Sequence, residues 1–110
     1  HRLEEFIANV VEACAQLGFA SDGFFCFGHL LVGNLHLAFA QCEDFARVEE
    51  RVLSLVVAHG GRIGAEHGIG RAKSQYLKLE VGDIAMAERE DLRRTFDPQG
   101  LLNPDVWRRP

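Results

Sequence analysis

Residues 24–40 read FFCFGHLLVGNLHLAFA, two apolar runs on either side of a Gly33-Asn34 step. The first run is rich in aromatic residues, a composition typical of a β-strand. The second run covers Leu35 to Ala40 and follows the turn formers directly. This pattern predicts a β-hairpin, or two closely connected strands.

Helical patterns flank this predicted hairpin on both sides. Apolar residues recur every three or four positions from Leu3 to Leu17, and Gly18 supplies a stop. The same spacing predicts a second helix from Asp44 to Ala58, with Glu43 and Asp44 as its N-terminal cap and Gly60-Gly61 at its end. A turn is expected at Ser21-Asp22-Gly23.

The remaining residues predict a short strand, a third helix and an irregular tail. A short strand or extended piece is expected from Arg62 to Ala65, and the helix from Asp83 to Phe96. All three prolines lie in the tail, which predicts an irregular chain there. The sequence therefore predicts an α+β fold: a small antiparallel sheet with helices on one face and an irregular C-terminal tail.

Charge and apolar content exclude several classes of protein. Sixteen acidic against twelve basic residues give a net charge of -4, which argues against a nucleic-acid binder and a polybasic membrane anchor. No apolar run approaches the roughly 20 residues of a transmembrane helix. Cys14, Cys26 and Cys42 fit small buried residues in a reducing compartment, so we expect a cytoplasmic protein.

Two histidines flank the predicted turn and are candidate metal ligands. His29 and His36 are seven positions apart, and residues across a hairpin ladder can face each other with Cβ atoms about 5 Å apart. Glu66 is the best candidate for a third ligand, because it lies in a glycine-rich loop directly before His67. The plainer interpretation is that each histidine is an ordinary hydrogen-bonding surface residue.

The segment from Glu66 to Arg71 has a second interpretation as an anion-binding loop. Glycines before a helix can hold an anion, and Arg71 and Lys73 add positive charge nearby. The glycine spacing matches neither nucleotide-binding fingerprint, so we rank general anion contact below metal binding.

Three motifs resemble those of the FAD-linked oxidases of the vanillyl-alcohol-oxidase type, in their C-terminal domain. Residues 28–36 resemble the family's Gly-His-x-Gly-Asp-Gly-Asn-x-His motif, and residues 60–70 its Gly-Gly-x-x-x-x-Glu-His-Gly-Ile-Gly segment. Residues 97–104 are similar to its closing Asp-Pro-x-Gly-x-Leu-Asn-Pro. The family includes the glycolate oxidase flavin subunit, D-lactate dehydrogenase and D-2-hydroxyglutarate dehydrogenase. The resemblance covers residues 1–106 and implies a ferredoxin-like cap piece.

The resemblance implies oxidation of a small D-2-hydroxy acid to the 2-oxo acid, with hydride passing to FAD. It assigns a divalent metal (zinc, manganese or iron) to His29, His36 and Glu66, and the general base to His67. The remaining implied contacts are to substrate from Asn34 and Arg71, and to the cofactor from Gly68 and Asn103.

The first motif differs from the family's motif within the predicted turn and after the second histidine. Leu31-Val32 stand in place of Gly-Asp, and Ala38 replaces an Asn that follows the second histidine in many members. These departures favour the runner-up: a binding or interaction module that kept the fold but lost the chemistry.

The chain opens on His1 rather than Met, so we expect a segment of a longer polypeptide. By the resemblance, residues 1–110 form one C-terminal domain fragment, and the FAD-binding domain lies upstream and is absent. The implied partners are that FAD-binding domain, a small 2-hydroxy acid and a second copy of the chain. Membrane association is expected only peripherally, through an electron-acceptor partner.

Overall fold

The computed structural model describes residues 2–19, 23–40, 44–104 and 106. These residues fall into two compact units, His1–Gly61 and Arg62–Pro110, which are treated separately below. Ser21 and Asp22 of the expected turn, Glu43 of the expected cap, and Cys42 lie outside the described residues.

The first unit confirms the predicted order of helix, hairpin and helix. Its elements are α1 (Arg2–Gln16), β1 (Phe24–His29), β2 (Asn34–Phe39) and α2 (Phe45–Ala58). The two strands form an antiparallel two-stranded sheet. Together with the helices, this sheet confirms the α+β class.

The core of the first unit lies between the two helices and one face of the hairpin. Buried residues of α1 and α2 form its centre: Phe6, Val10, Cys14, Val48 and Val52. Alternate strand residues pack against them: Phe24, Leu35, Leu37 and Phe39. Because side chains alternate between the faces of a strand, the other face of the hairpin points away from this core.

The start of α2 and the end of α1 lie where the sequence predicts. The Asp44 carboxylate accepts the N–H of Arg47 at 3.3 Å, the N-terminal cap expected for α2. At the end of α1 the N–H of Phe19 donates to the carbonyl of Cys14 at 3.0 Å, while Gly18 has a φ of 87°. That left-handed conformation costs glycine little, so α1 stops where the sequence predicts.

The hairpin turn differs from the expected Gly-Asn step. Leu30–Val32 form a 3₁₀ turn, and Gly33, at φ 68°, donates its N–H to the carbonyl of Leu30 at 3.1 Å. Asn34 is the first residue of β2 and pairs with His29. The prediction missed this because the apolar side chains at the tip resemble a strand, although all three are exposed.

The second unit is helical, and its longest element is kinked. It contains α3 (Gly70–Lys73), a 3₁₀ turn (Ser74–Tyr76) and α4 (Leu77–Phe96). Gly82, at φ 75° and ψ 176°, interrupts α4. The segment of α4 after Gly82 is the predicted helix over residues 83–96.

The prediction of a short strand or extended piece from Arg62 to Ala65 is wrong. Residues 63–67 are turns. The N–H of Ile63 donates to the Glu80 carboxylate at 2.7 Å, and its carbonyl accepts Lys73 Nζ at 3.2 Å. Both backbone groups of Ile63 are therefore bound by side chains rather than by a neighbouring strand.

The tail begins with a compact turn at Asp97, as an irregular segment would. The Asp97 carboxylate accepts the N–H groups of Leu101 and Leu102, each at 2.9 Å, and Gly100 occupies the bend at φ 66°. Among the described residues, no helix is both long and apolar enough to cross a membrane.

Candidate active site

The outward face of the hairpin carries three of the predicted site residues. In the strand register, His29 pairs with Asn34, Phe27 with His36, and Phe25 with Ala38. Since β residues alternate between faces, these six share the face opposite the core. The hairpin thus brings His29, Asn34 and His36 together on one surface.

The two histidines are diagonal neighbours, not directly opposite partners. His29 lies opposite Asn34, so His36 is two positions further along β2. Diagonal pairs are roughly 7–8 Å apart rather than about 5 Å, a separation that imidazole side chains can still span. The expectation that the two histidines lie opposite each other is corrected by the strand register. They nevertheless lie on the same side of the hairpin.

An aromatic contact fixes the orientation of His36. Its imidazole stacks on the ring of Phe27, with centroids 5.2 Å apart and an angle of 16° between the planes. The contact is cross-strand, because Phe27 and His36 are register partners. His36 is half-buried, whereas His29, at the end of β1, is exposed.

The amide oxygen of Asn34 has no protein donor in the described structure. Its Oδ1 is shielded from solvent and has no hydrogen-bond partner there. A buried carbonyl oxygen without a donor is energetically unfavourable, by about 1–3 kcal/mol. Because the atom is shielded, a ligand that donates a hydrogen bond would satisfy it only after the side chain moves.

In the second unit, Glu66 and His67 form a close pair. His67 Nε2 lies 3.3 Å from Glu66 Oε1, and both side chains are exposed. The loop that carries them is tight: His67 donates its N–H to the Gly64 carbonyl at 3.1 Å. A carboxylate against one imidazole nitrogen leaves the other nitrogen to act on a ligand.

The three remaining predicted residues are also in the second unit. Arg71 lies on the four-residue helix α3, directly after the Glu66-His67 loop. Gly68, at φ 74°, is exposed, and no atom lies within 4 Å of the position of an added Cβ. Asn103 is exposed in the tail at φ 42°. The open approach to Gly68 suits backbone contact with a ligand.

The structure therefore assembles the predicted site as two groups. His29, Asn34 and His36 belong to the first unit, and Glu66 and His67 to the second. Within the described ranges, no group of three or more His, Cys, Asp or Glu side chains is arranged to hold a metal ion. The described residues thus place two imidazoles on one face of the hairpin, without a completed metal site.

Sequence reasoning missed Phe27 and Glu80. Phe27 belongs to a run that reads as a buried strand, yet alternation along β1 places it on the same face as His29. That alternation was the available signal. Glu80 precedes the predicted helix in the sequence, and no pattern links it to Ile63, whose N–H it accepts.

Comparison with known proteins identifies the class as FAD-linked oxidoreductases. Residues 1–106 match the family described as FAD linked oxidases, C-terminal domain, and the chain belongs to that family. The resemblance inferred from the three motifs is thereby confirmed.

The names of the relatives describe several related activities. The chain is 32% identical to glycolate oxidase subunit GlcD of Bacillus subtilis, in an alignment that covers 89% of this chain. It is 30% identical to D-lactate dehydrogenase of Anaerostipes hadrus, in an alignment that covers 94% of this chain. It is 33% identical to the mitochondrial D-2-hydroxyglutarate dehydrogenase of Rattus norvegicus over 93%. The chain spans only 20–23% of the length of these relatives. No solved structure matches significantly.

Proposed function

We propose that this chain is the substrate-side part of an FAD-dependent oxidoreductase that converts a small D-2-hydroxy acid into the 2-oxo acid. The observation that carries the proposal is the shared face of His29, Asn34 and His36, in a chain of this family. Polar and imidazole groups grouped on the side of a hairpin away from its core are placed to bind a ligand.

His67 is the proposed general base. Glu66 lies against His67 Nε2, which orients the ring and favours the tautomer with its proton on that nitrogen. Nδ1 of His67 then accepts the proton from the substrate hydroxyl as the C2 hydrogen departs. Arg71, on the adjacent helix, would bind the substrate carboxylate, because a guanidinium donates two parallel hydrogen bonds to such a group.

His29 and His36 are the proposed protein ligands of a divalent metal, with Glu66 as the third. Two imidazoles and a carboxylate suit zinc, manganese or iron. The arrangement on the hairpin supports this role because both histidines share a face with Asn34. When bound, such a metal would polarise the substrate hydroxyl and lower its pKa.

FAD is the proposed hydride acceptor, and its isoalloxazine ring would take the hydride from C2 when bound. Gly68 and Asn103 are the residues of this chain proposed to contact it. Both are exposed, and the lack of a side chain at Gly68 permits close backbone approach. The FAD-binding domain of the same polypeptide is the proposed partner that supplies most of the cofactor site.

The test uses a polypeptide in which this chain is joined to its FAD-binding domain. The purified flavoprotein is mixed anaerobically with glycolate and with the D- and L-isomers of lactate and 2-hydroxyglutarate, and flavin absorbance is followed. We expect at least one D-acid or glycolate to bleach the flavin, and the L-isomers to leave it oxidised. A flavin that dithionite reduces but none of these acids does would contradict the proposal.

A non-catalytic binding module is the second candidate, and the hairpin tip favours it. Leu31 and Val32 stand in place of the family's Gly-Asp; Leu31 is fully solvent-exposed and Val32 is 79% exposed. An exposed apolar tip can contact another protein surface. The two candidates differ in the flavin experiment, since only the enzyme requires a reducible cofactor. Self-association and a cytoplasmic location stay predictions.

A further inference from the structure

Glu80 binds the two residues that begin the Glu66-His67 loop. Its Oε2 accepts the N–H of Ile63 at 2.7 Å, and its Oε1 accepts Arg62 Nη1 at 2.9 Å. Hydrogen bonds to an ionised carboxylate are shorter and about twice as strong as neutral ones. One carboxylate thus holds two consecutive residues to the start of α4.

The two contacts of Glu80 differ in strength because they differ in burial. The Glu80 side chain is 11% exposed and that of Arg62 is 76% exposed, so solvent weakens the ion pair. Ile63 is only 2% exposed, so its N–H is shielded from water while Glu80 accepts it. The contact from Glu80 to Ile63 is therefore the one that holds the loop.

The charge state of Glu80 is consistent with this role. Desolvation acts to raise the pKa of Glu80, but the hydrogen bonds from Arg62 and Ile63 outweigh it, so the net pKa is lowered. Lys73 completes the anchor by donating to the Ile63 carbonyl at 3.2 Å.

A short path along the chain leads from Ile63 to the Glu66-His67 pair. Gly64, the next residue, accepts the N–H of His67 at 3.1 Å. A Cβ on Gly64 would lie 3.2–3.5 Å from backbone atoms of Gly68, so the two sides of the loop are in close contact. Displacement of Ile63 would consequently move the backbone that carries His67.

We propose that Glu80 is a positioning residue for the Glu66-His67 pair. The inference rests on the proposed function for the chemistry of that pair, but its structural part concerns only the second unit. Glu80 itself touches neither Glu66 nor His67 by any contact described above, and it acts through Ile63 and the tight turn at Gly64.

The test compares Glu80→Ala and Glu80→Gln with Glu90→Gln as a matched control. Glu90 lies on the same helix, ten residues beyond Glu80, and its carboxylate pairs with Arg94 at 3.2 Å. The first readout is amide hydrogen exchange at Ile63 and His67, measured in the full chain. The second is the rate of flavin reduction by the preferred acid in the FAD-containing polypeptide, with kcat and KM separated.

We expect Glu80→Ala to accelerate exchange at Ile63 and His67 about tenfold more than at amides of α1, from the loss of a charge-assisted hydrogen bond. Glu80→Gln keeps an acceptor for Ile63 and should restore part of the protection, while Glu90→Gln leaves it unchanged. In the flavoprotein, Glu80→Ala should lower kcat about tenfold with little change in KM.

Exchange that rises uniformly over the chain, or exchange at His67 that matches the control, would overturn the proposal. An unchanged kcat in Glu80→Ala would overturn it as well. Failure of the proposed function gives a different result, because wild type itself would then show no flavin reduction while the exchange comparison still reports on the Glu80 anchor.

Discussion

Phe27 and His36 stack across the hairpin, with ring centroids 5.2 Å apart and planes inclined by 16°. The two residues are register partners on adjacent strands. Phe27 covers one face of the His36 imidazole. The contact joins the hairpin's packing directly to the proposed metal ligand.

Phe27→Leu removes this stack while it keeps an apolar residue on the strand. We expect a loss of about 0.5–1 kcal/mol in the free energy of unfolding, the usual size of a cross-strand aromatic contact. The NMR signals of the His36 ring protons should move downfield, since the shielding by the Phe27 ring is lost. The affinity of the protein for zinc should also fall, because the imidazole of His36 is less restrained.

Phe25→Leu is the matched control for this variant. Phe25 shares the face and the 59% exposure of Phe27, but its register partner is Ala38. The His36 ring protons should keep their shifts in this control. If the signals of the His36 ring protons are the same in Phe27→Leu and Phe25→Leu, the stack does not form in solution.

Gly28→Ala tests the close approach of the two strands. Gly28 has a φ of 144°, and an added Cβ would overlap the carbonyl oxygen of Asn34. We expect a loss of about 1–3 kcal/mol in unfolding free energy, measured by urea denaturation, because the backbone must shift to admit the methyl group.

Gly23→Ala provides the comparison, because its Cβ would lie 3.8 Å from the Ala40 carbonyl oxygen, an ordinary contact. This variant should change the free energy by less than about 1 kcal/mol. A Gly28→Ala protein as stable as Gly23→Ala would contradict the described register.

The turn at Asp97 should depend on pH. Hydrogen bonds from the N–H groups of Leu102 and Leu101 lower the pKa of Asp97. A carboxyl group whose pKa is lowered by folding stabilises the folded turn above its ordinary pKa, and this contribution is lost as the pH falls through the lowered value. Exchange protection of the Leu101 and Leu102 amides should therefore decline in acid.

Asp97→Asn is the control for this pH dependence. The amide keeps one acceptor oxygen but does not titrate, so any protection left at Leu101 and Leu102 should no longer follow the protonation of residue 97. An unchanged acid profile in Asp97→Asn would assign the titration to another group.

The sequence predicts those features that local patterns determine. Helical spacing and Gly18 define α1, and the two apolar runs define the hairpin. The diagonal relation of His29 to His36 depends on a four-residue turn, Leu30 to Gly33, whose apolar tip resembles strand sequence. Such a register shift alters which residues face each other without altering the pattern of hydrophobicity.

Long-range contacts explain the errors in the second unit. The predicted strand at Arg62–Ala65 is replaced by turns because Glu80, seventeen positions beyond Ile63, accepts its N–H. No local propensity contains that information. Candidate chemical groups were recognisable from their motifs, whereas the residues that support them, Phe27 and Glu80, became visible only from contacts.

Metal stoichiometry tests the proposed site most directly. Zinc and manganese are titrated into the wild-type polypeptide, with its FAD-binding domain attached, and into His29→Ala, His36→Ala and His59→Gln. His59 is the control because its ring lies in the same unit but packs edge-on against Phe6, 5.5 Å between centroids. We expect about one equivalent to bind to wild type and His59→Gln, and none to bind tightly to the other two. Wild type that binds no metal, or hairpin variants that bind as wild type does, would contradict the assignment.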